Sequence, residues 1–319
     1  MPNTKSLLSL RQALDLLTYS YDIPYSKRAQ IYSHILNTFP NDLLRSSSSP
    51  ICSDTSSIFD FSALPFHSLI GDGFQYLPSL SKSLARDILS FASTSFHDIP
   101  DSPKEQVPPH LLHSNPHLLS LFCSRHIVEP IASYLNIIPS IQYISLWKTN
   151  PTSDSVRTSE MYWHMDHHGH KFVKVFFYLS DVELGDGHHQ FISNSHLQPD
   201  FDDFLCKKSP LLFEHLSCKR KLRGQHQLSD DVLLPIMDSC ISVVGPCGSG
   251  FMEDTRGLHR GTPIILDRSR IILQALFVPF DSMKDPIHKV QISPDIIQLI
   301  QCKNSYTKAE ISKLLSIIN

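Results

Sequence analysis

The chain has 319 residues, with 28 Lys and Arg against 31 Asp and Glu, a formal net charge of -3 and 18% charged residues. This balance excludes a basic field able to hold nucleic acid or an anionic membrane. The length suffices for one large domain or two modest ones, with a core that needs no cofactor to fold. Seven cysteines with no C-x-x-C pair argue against a disulfide framework or a zinc ribbon and read as reduced thiols of a cytoplasmic protein. No secretory pattern opens the sequence, and no apolar run is long enough to span a bilayer.

Leu7, Leu10, Leu14 and Leu17 stand at helical spacing, and Ile31, Ile35 and Phe39 follow Ser26 as an N-cap, which predicts two amphipathic helices. Residues 45–57, RSSSSPICSDTSS, lack apolar periodicity and read as a linker. Another helix is expected around Leu84, Ile88 and Phe91. From Ile141 onward the pattern changes to short runs rich in Ile, Val, Phe and Tyr, namely IQYISLW, KFVKVFFYLSDV, CISVVG and RIILQALFVPF. These predict strands. Nine of the eleven glycines fall between Gly169 and Gly261, so tight turns concentrate in the same region and suggest an antiparallel β body. The last forty residues return to helix, with Pro294 after Ser293 and a capping box of Thr307 and Glu310. The predicted organisation is a helical extension with a Ser-rich linker over 1–68, a β domain over 69–280 and a helical extension over 281–319.

The segment WHMDHHGH, residues 163–170, holds four histidines and one aspartate. On an extended backbone His164 and Asp166, two apart, project from one face and offer a nitrogen and an oxygen to one ion. Neutral imidazole and carboxylate suit a borderline divalent metal, and two histidines with one carboxylate leave the far side of the ion open. His259, nearly a hundred residues downstream in a β-patterned segment, is the best candidate for the third ligand, although spacing alone does not select it from eighteen histidines. Eleven positions further, Arg270 opens a strongly apolar strand where an inward guanidinium needs an anion. Its planar fork matches a carboxylate.

GDGFQYLPSLSKSLARDILSFA, WHMD, KVFFYLSDVELGDGHHQFISNSH and DTRGLHRGTP with DRSR occur in the order of the phytanoyl-CoA dioxygenase-like family of Fe(II)- and 2-oxoglutarate-dependent dioxygenases, which the chain resembles over about Gly71 to Phe280. The resemblance implies a mainly β fold with flanking helices, built on a double-stranded β-helix or jelly-roll core. It implies Fe(II) held by His164, Asp166 and His259, which are also the catalytic residues, and 2-oxoglutarate clamped by Arg270, with O2 as the second co-substrate. The reaction implied is hydroxylation of a small organic molecule, lipid-like or a natural-product intermediate, with release of succinate and CO2. The intact H-x-D favours hydroxylation over halogenation, which needs that carboxylate missing. One departure stands out: where the family often has Ser or Thr two residues after the distal histidine, this chain has Gly261. Thr262 is the candidate replacement as a co-substrate contact. Lys174, alternating with Phe176 and Tyr178, is a further candidate pointing into the barrel toward co-substrate or substrate.

Other histidines have plainer readings. His167, His168 and His170 suit a turn at the barrel mouth, His188 and His189 a turn entering a strand, and His196 a structural loop. Arg268 competes with Arg270 on the same strand face, while Arg256 and Arg260 read as partners of nearby acids such as Asp254 and Asp267. Trp147, Tyr162 and Trp163 read as barrel core. Two other functions remain open on the residues alone: a cupin-like Zn or Mn isomerase or hydrolase, with the metal as Lewis acid, and a non-catalytic barrel that binds a partner.

Overall fold

The computed structural model describes residues 29–33, 58–60, 67–96, 102–151, 158–197, 200–221, 228–265, 268–279, 294–304, 306 and 308–315. The predicted helix over Leu7–Leu17, the 45–57 linker and the Thr307 half of the capping box lie outside these residues. The strands are β1 (Phe59–Asp60), β2 (Phe74–Leu77), β3 (Ser79–Leu80), β4 (Lys104–Gln106), β5 (Ser140–Thr149), β6 (Val173–Tyr178), β7 (His189–Ile192), β8 (Cys240–Val243), β9 (Gly250–Glu253), β10 (His259–Gly261) and β11 (Arg270–Val278). The helices are α1 (Lys82–Ser93), α2 (Pro109–His113), α3 (Pro116–Phe122), α4 (Arg125–Leu135), α5 (Asp200–Lys208), α6 (Pro210–Lys221), α7 (Asp230–Leu233), α8 (Pro294–Asn304) and α9 (Lys308–Leu314).

Besides the short β1-β3 pair, the strand pairing among the described residues gives two larger antiparallel sheets. One runs in the order β2-β9-β6-β11-β5-β4, the other β10-β7-β8. The second is widened by the Trp163–His164 segment, which bridges antiparallel to His259. From β5 onward the chain passes to the His164 segment in the smaller sheet, back to β6, across to β7 and β8, back to β9, across to β10 and back to β11. Eight strands wound in this way form a jelly roll, so the predicted core is present.

The period-two pattern of the strands decides what each face meets. In β6, all of it buried, Val173, Val175 and Phe177 join an apolar cluster with Leu273, Ala275 and Phe277 of β11 and with residues of α1, α3, α4, α8 and α9. The alternate residues, Lys174, Phe176 and Tyr178, face the barrel interior, where Phe176 stacks on Phe251 of β9 at 4.9 Å. Phe177 lies so close to Gly250 that a β-carbon there would stand 2.4 Å from its ring, so only glycine fits opposite it. Burying a ring of this size stabilises the fold by about 2 kcal/mol. On the outer side of the smaller sheet, Trp163, Met165, Ile192 and Leu258 pack with Phe201, Leu205, Leu212, Leu216 and Leu233 of α5, α6 and α7.

Local signals set the helix starts. Asn115 accepts from the backbone N–H groups of His117 and Leu118 at 3.0 and 3.2 Å, and Pro116 occupies the first helical position of α3. The described parts of both terminal segments join the main core: Tyr32, Ile300 and Leu314 belong to the cluster under β6 and β11, and the Tyr32 hydroxyl donates to the Leu135 carbonyl at 2.7 Å. Among the described residues no helix is long and apolar enough to cross a membrane.

Candidate metal centre

Backbone register brings the first two candidate ligands together. His164 and His259 exchange both N–H···O bonds at 3.0 Å across the antiparallel bridge, which sets their imidazoles side by side with centroids 4.2 Å apart. Asp166, two residues along the same face, donates its N–H to the Thr255 carbonyl at 2.8 Å. Its Oδ2 lies 3.4 Å from His259 Nε2. One donor atom from each of His164, Asp166 and His259 lies within 4.8 Å of the others, as a divalent ion requires. The three positions singled out in the sequence are therefore adjacent in space.

The donors also present the chemistry a metal takes. Nδ1 of His164 donates to the Tyr162 carbonyl at 2.8 Å, and Nδ1 of His259 to the Gly257 carbonyl at 2.9 Å. Each ring is thereby oriented by the carbonyl two residues before it, leaving the Nε2 lone pair for the ion. Burial and the neighbouring His259 push the His164 pKa down to about 3, so this imidazole is neutral at pH 7. Burial disfavours the Asp166 carboxylate, but Lys174 and His259 more than offset it and hold its pKa well below the ordinary value. Burial likewise works against a charged His259, which Asp166 outweighs, so the His259 pKa is raised. A metal would displace the proton that Asp166 favours on His259, and the two imidazole nitrogens with one ionised carboxylate on one face then fit a borderline divalent ion with open positions opposite.

Arg270, the first residue of β11, is buried, and burial lowers its pKa. Its guanidinium donates to the Gly187 carbonyl and lies 3.5 Å from Thr149 Oγ1, with no carboxylate at ion-pair distance among the described residues. A buried cation without a counter-charge is costly and marks an anion site. Gly261 is explained by the same group: a β-carbon there would stand 2.8 Å from Arg270 Nη1. Glycine in place of a hydroxyl residue makes room for the guanidinium. The neighbouring Thr262 hydroxyl is hydrogen bonded to Nδ1 and the carbonyl of His188, each at 3.1 Å.

Lys174 reaches Asp166 Oδ2 at 2.6 Å from the facing sheet. Burial opposes its charge, yet Asp166 and Tyr143 more than compensate and its pKa is raised. The competing arginines are engaged elsewhere. Arg268 is at the surface with Glu183 and Asp186. Arg256 binds Asp254. On the outer face of the smaller sheet, Arg260 pairs with Asp230 at 2.7 Å and lies over the Trp163 ring. Asp267, the other suggested partner, lies outside the described residues. His167 is exposed, His168 half-buried beside Tyr143 and Phe172, and His170 and His196 are buried.

Sequence reasoning missed three interior groups, Glu253, Tyr143 and Gln274, and placed His189 in a turn where the structure has it buried in β7. Glu253 and His189 form a buried pair, Nε2 to carboxylate at 2.9 Å, with the His189 ring 5.9 Å from that of His259. Burial raises the Glu253 pKa to about 8 and holds that of His189 well below its ordinary value. Tyr143 accepts from Gln274 Nε2 at 3.0 Å. Gln274 was legible: four residues after Arg270 it shares that residue's strand face in an otherwise apolar run.

No family model matches the chain, and no curated protein matches it. Among solved structures it is similar to the non-heme alpha-ketoglutarate-dependent epimerase SnoN from nogalamycin biosynthesis, at 14% identity and a TM-score of 0.44 over 66% of this chain and 80% of that one. It is similar also to AviO1 from Streptomyces viridochromogenes, at 15% identity and a TM-score of 0.45 over 67% and 92% of the two chains. HygX from Streptomyces hygroscopicus, with nickel and 2-oxoglutarate bound, aligns at 15% identity and a TM-score of 0.44 over 67% and 85%.

Proposed function

We propose that the chain is a non-haem Fe(II)- and 2-oxoglutarate-dependent oxygenase of the phytanoyl-CoA dioxygenase-like kind, hydroxylating a small organic molecule with release of succinate and CO2. The observation that carries this reading is the pairing of His164, Asp166 and His259 on one face with a buried Arg270 lacking a carboxylate partner. The three ligands would hold the iron through two Nε2 atoms and one carboxylate oxygen. Arg270, seated against Gly261, would bind the distal carboxylate of 2-oxoglutarate through its planar fork, with Thr262 a second contact beside it. Bound iron would supply a centre at which 2-oxoglutarate chelates and O2 is reduced.

The chain's own groups prepare that centre. The Tyr162 and Gly257 carbonyls hold both imidazoles in the tautomer that presents Nε2. Lys174 keeps Asp166 ionised and aimed inward. Phe176 and Phe251, stacked in the interior, would give the centre an apolar wall. The described Cys123, Cys206, Cys240 and Cys247 are free thiols, in keeping with a cytoplasmic protein acting on a free or carrier-bound small molecule.

Calorimetric titration of the metal-free protein with Fe(II) under anaerobic conditions, followed by 2-oxoglutarate, tests the reading. One metal and one 2-oxoglutarate per chain are expected, with slow succinate release once O2 and ascorbate are supplied. Asp166→Ala and His259→Ala should each weaken metal binding by at least tenfold, as loss of one of three ligands does. Absence of both metal and 2-oxoglutarate binding in the unaltered chain would sink it.

A further inference from the structure

Lys174 has more hydrogen-bonding capacity than the chain uses. Its side chain is only 10% exposed, its ammonium contacts Asp166 Oδ2 at 2.6 Å, and Tyr143 flanks it across Leu276 in the strand register. An ammonium has three donors, and Asp166 is the one acidic partner at ion-pair distance among the described residues. The Tyr143 oxygen accepts from Gln274 Nε2 at 3.0 Å, which leaves its own O–H to donate. Two spare donors therefore sit side by side, next to a candidate ligand of the metal.

The enclosed charge has the same sign. Asp166 carries one negative charge, Lys174 and Arg270 one positive charge each, and Glu253 with His189 sums to zero with one proton shared between them. A divalent ion and a dianionic 2-oxo acid cancel each other, which leaves one buried positive charge unmatched. Such a charge is costly in a low-dielectric interior unless an anion enters with the substrate.

That anion is distinct from the one at Arg270. Lys174 stands opposite Leu276 in the β6–β11 register, six residues along β11 from Arg270, which is about 20 Å of strand. The Lys174 end is lined by Tyr143, His168 and Phe172. These rings suit an apolar body behind a charged head. We propose that Lys174 and Tyr143 form a seat for a carboxylate carried by the substrate, on the side of the metal away from Arg270, so that the enzyme acts on a small apolar acid close to its carboxylate. This inference rests on the oxygenase reading.

The test uses the full chain with Ni(II), a redox-silent stand-in for iron, and saturating 2-oxoglutarate. Calorimetry first establishes that both bind; if neither does, the oxygenase reading fails, and the arms that follow address the seat alone. Phenylacetate and its uncharged analogue phenylacetamide are then titrated while tryptophan fluorescence is read, Trp147 being part of the barrel wall. The acid should bind at least tenfold more tightly than the amide, Lys174→Met should abolish that preference, Lys174→Arg should keep most of it, and Tyr143→Phe should reduce it several-fold. Equal binding of acid and amide, binding of neither, or a preference that survives Lys174→Met overturns the proposal. So does a Lys174→Met protein that loses 2-oxoglutarate affinity while retaining the acid preference, since the ammonium would then serve the co-substrate. Tyr143→Phe, which removes one oxygen, decides the matter if Lys174→Met does not fold.

Discussion

At the scale of single residues, the contact between Gly261 and Arg270 offers a way to test the proposed co-substrate clamp apart from the candidate metal ligands. The guanidinium occupies the space a β-carbon would need, 2.8 Å away, while His259, two residues earlier, faces the metal ligands. Gly261→Ala should therefore displace Arg270 and weaken 2-oxoglutarate by about tenfold or more, with metal affinity nearly unchanged. Arg270→Gln should cost more, because loss of a charge-assisted fork removes about 2–5 kcal/mol of binding. Parallel titrations of metal and 2-oxoglutarate check both, and a Gly261→Ala protein that binds 2-oxoglutarate normally would show that the anion sits elsewhere. Gly261 stands out in the sequence only against a resemblance, and the packed guanidinium gives it a physical reason.

Among elements, the tie between α4 and the loop after β9 carries the most consequence for the site. Asp254, fully buried, accepts from Arg256 Nη2 at 2.5 Å and from the Tyr134 hydroxyl at 2.5 Å, while Arg256 Nη1 donates to the His170 carbonyl at 2.5 Å. Burial alone would raise the Asp254 pKa, but Arg256 outweighs it and the carboxyl is held below its ordinary value. The next residue, Thr255, supplies the carbonyl that pins the Asp166 backbone. Arg256→Met leaves a buried carboxylate without its cation, and such losses cost about 3–5 kcal/mol. Urea unfolding should show a destabilisation of that order, and metal affinity should fall with it because the Asp166 segment loses its anchor. An unchanged unfolding midpoint would show that Asp254 needs no counter-charge.

Across the whole molecule, the interior histidines make stability depend on pH. Burial lowers the pKa of His164 to about 3 and those of His168 and His196 to about 4, and holds His189 well below its ordinary value. Each unfolded imidazole, near 6.5, takes up a proton that the folded one refuses. Their contribution is therefore complete above about pH 6.5 and lost as pH falls toward the folded values. His259, with its raised pKa, runs the other way and offsets part of the trend. Thermal melts of the metal-free protein should show the midpoint falling steeply between about pH 6.5 and pH 4, with a slope reporting uptake of more than one proton. Added metal should raise the midpoint and steepen the profile, because a His259 bound through Nε2 can no longer take up the proton that offsets the trend in the metal-free protein. A midpoint constant over this range would contradict the burial of these rings.

How much was legible in the sequence depended on whether a residue's surroundings lay nearby in the chain. The runs that became β5, β6, β8 and β11 and the spacing that became α1 carried their own pattern. So did the two-residue step from His164 to Asp166, because alternation along an extended backbone is a local rule. The helices α2, α3 and α4 were not anticipated. In α3, Leu118 through Phe122 are all buried, and a helix enclosed on every side has no polar stripe to reveal its period. The strand β9, of four residues, is too short to show one. By itself the sequence determined the β-rich body, the His164 and Asp166 pair and a small set of candidates for the rest. Only the tertiary structure decided that His259 lies directly across from His164, that Arg270 and not Arg268 is enclosed, and that Lys174 points at Asp166. Those choices are made by cross-strand register, by the facing of two sheets and by burial, none of which leaves a trace in local spacing.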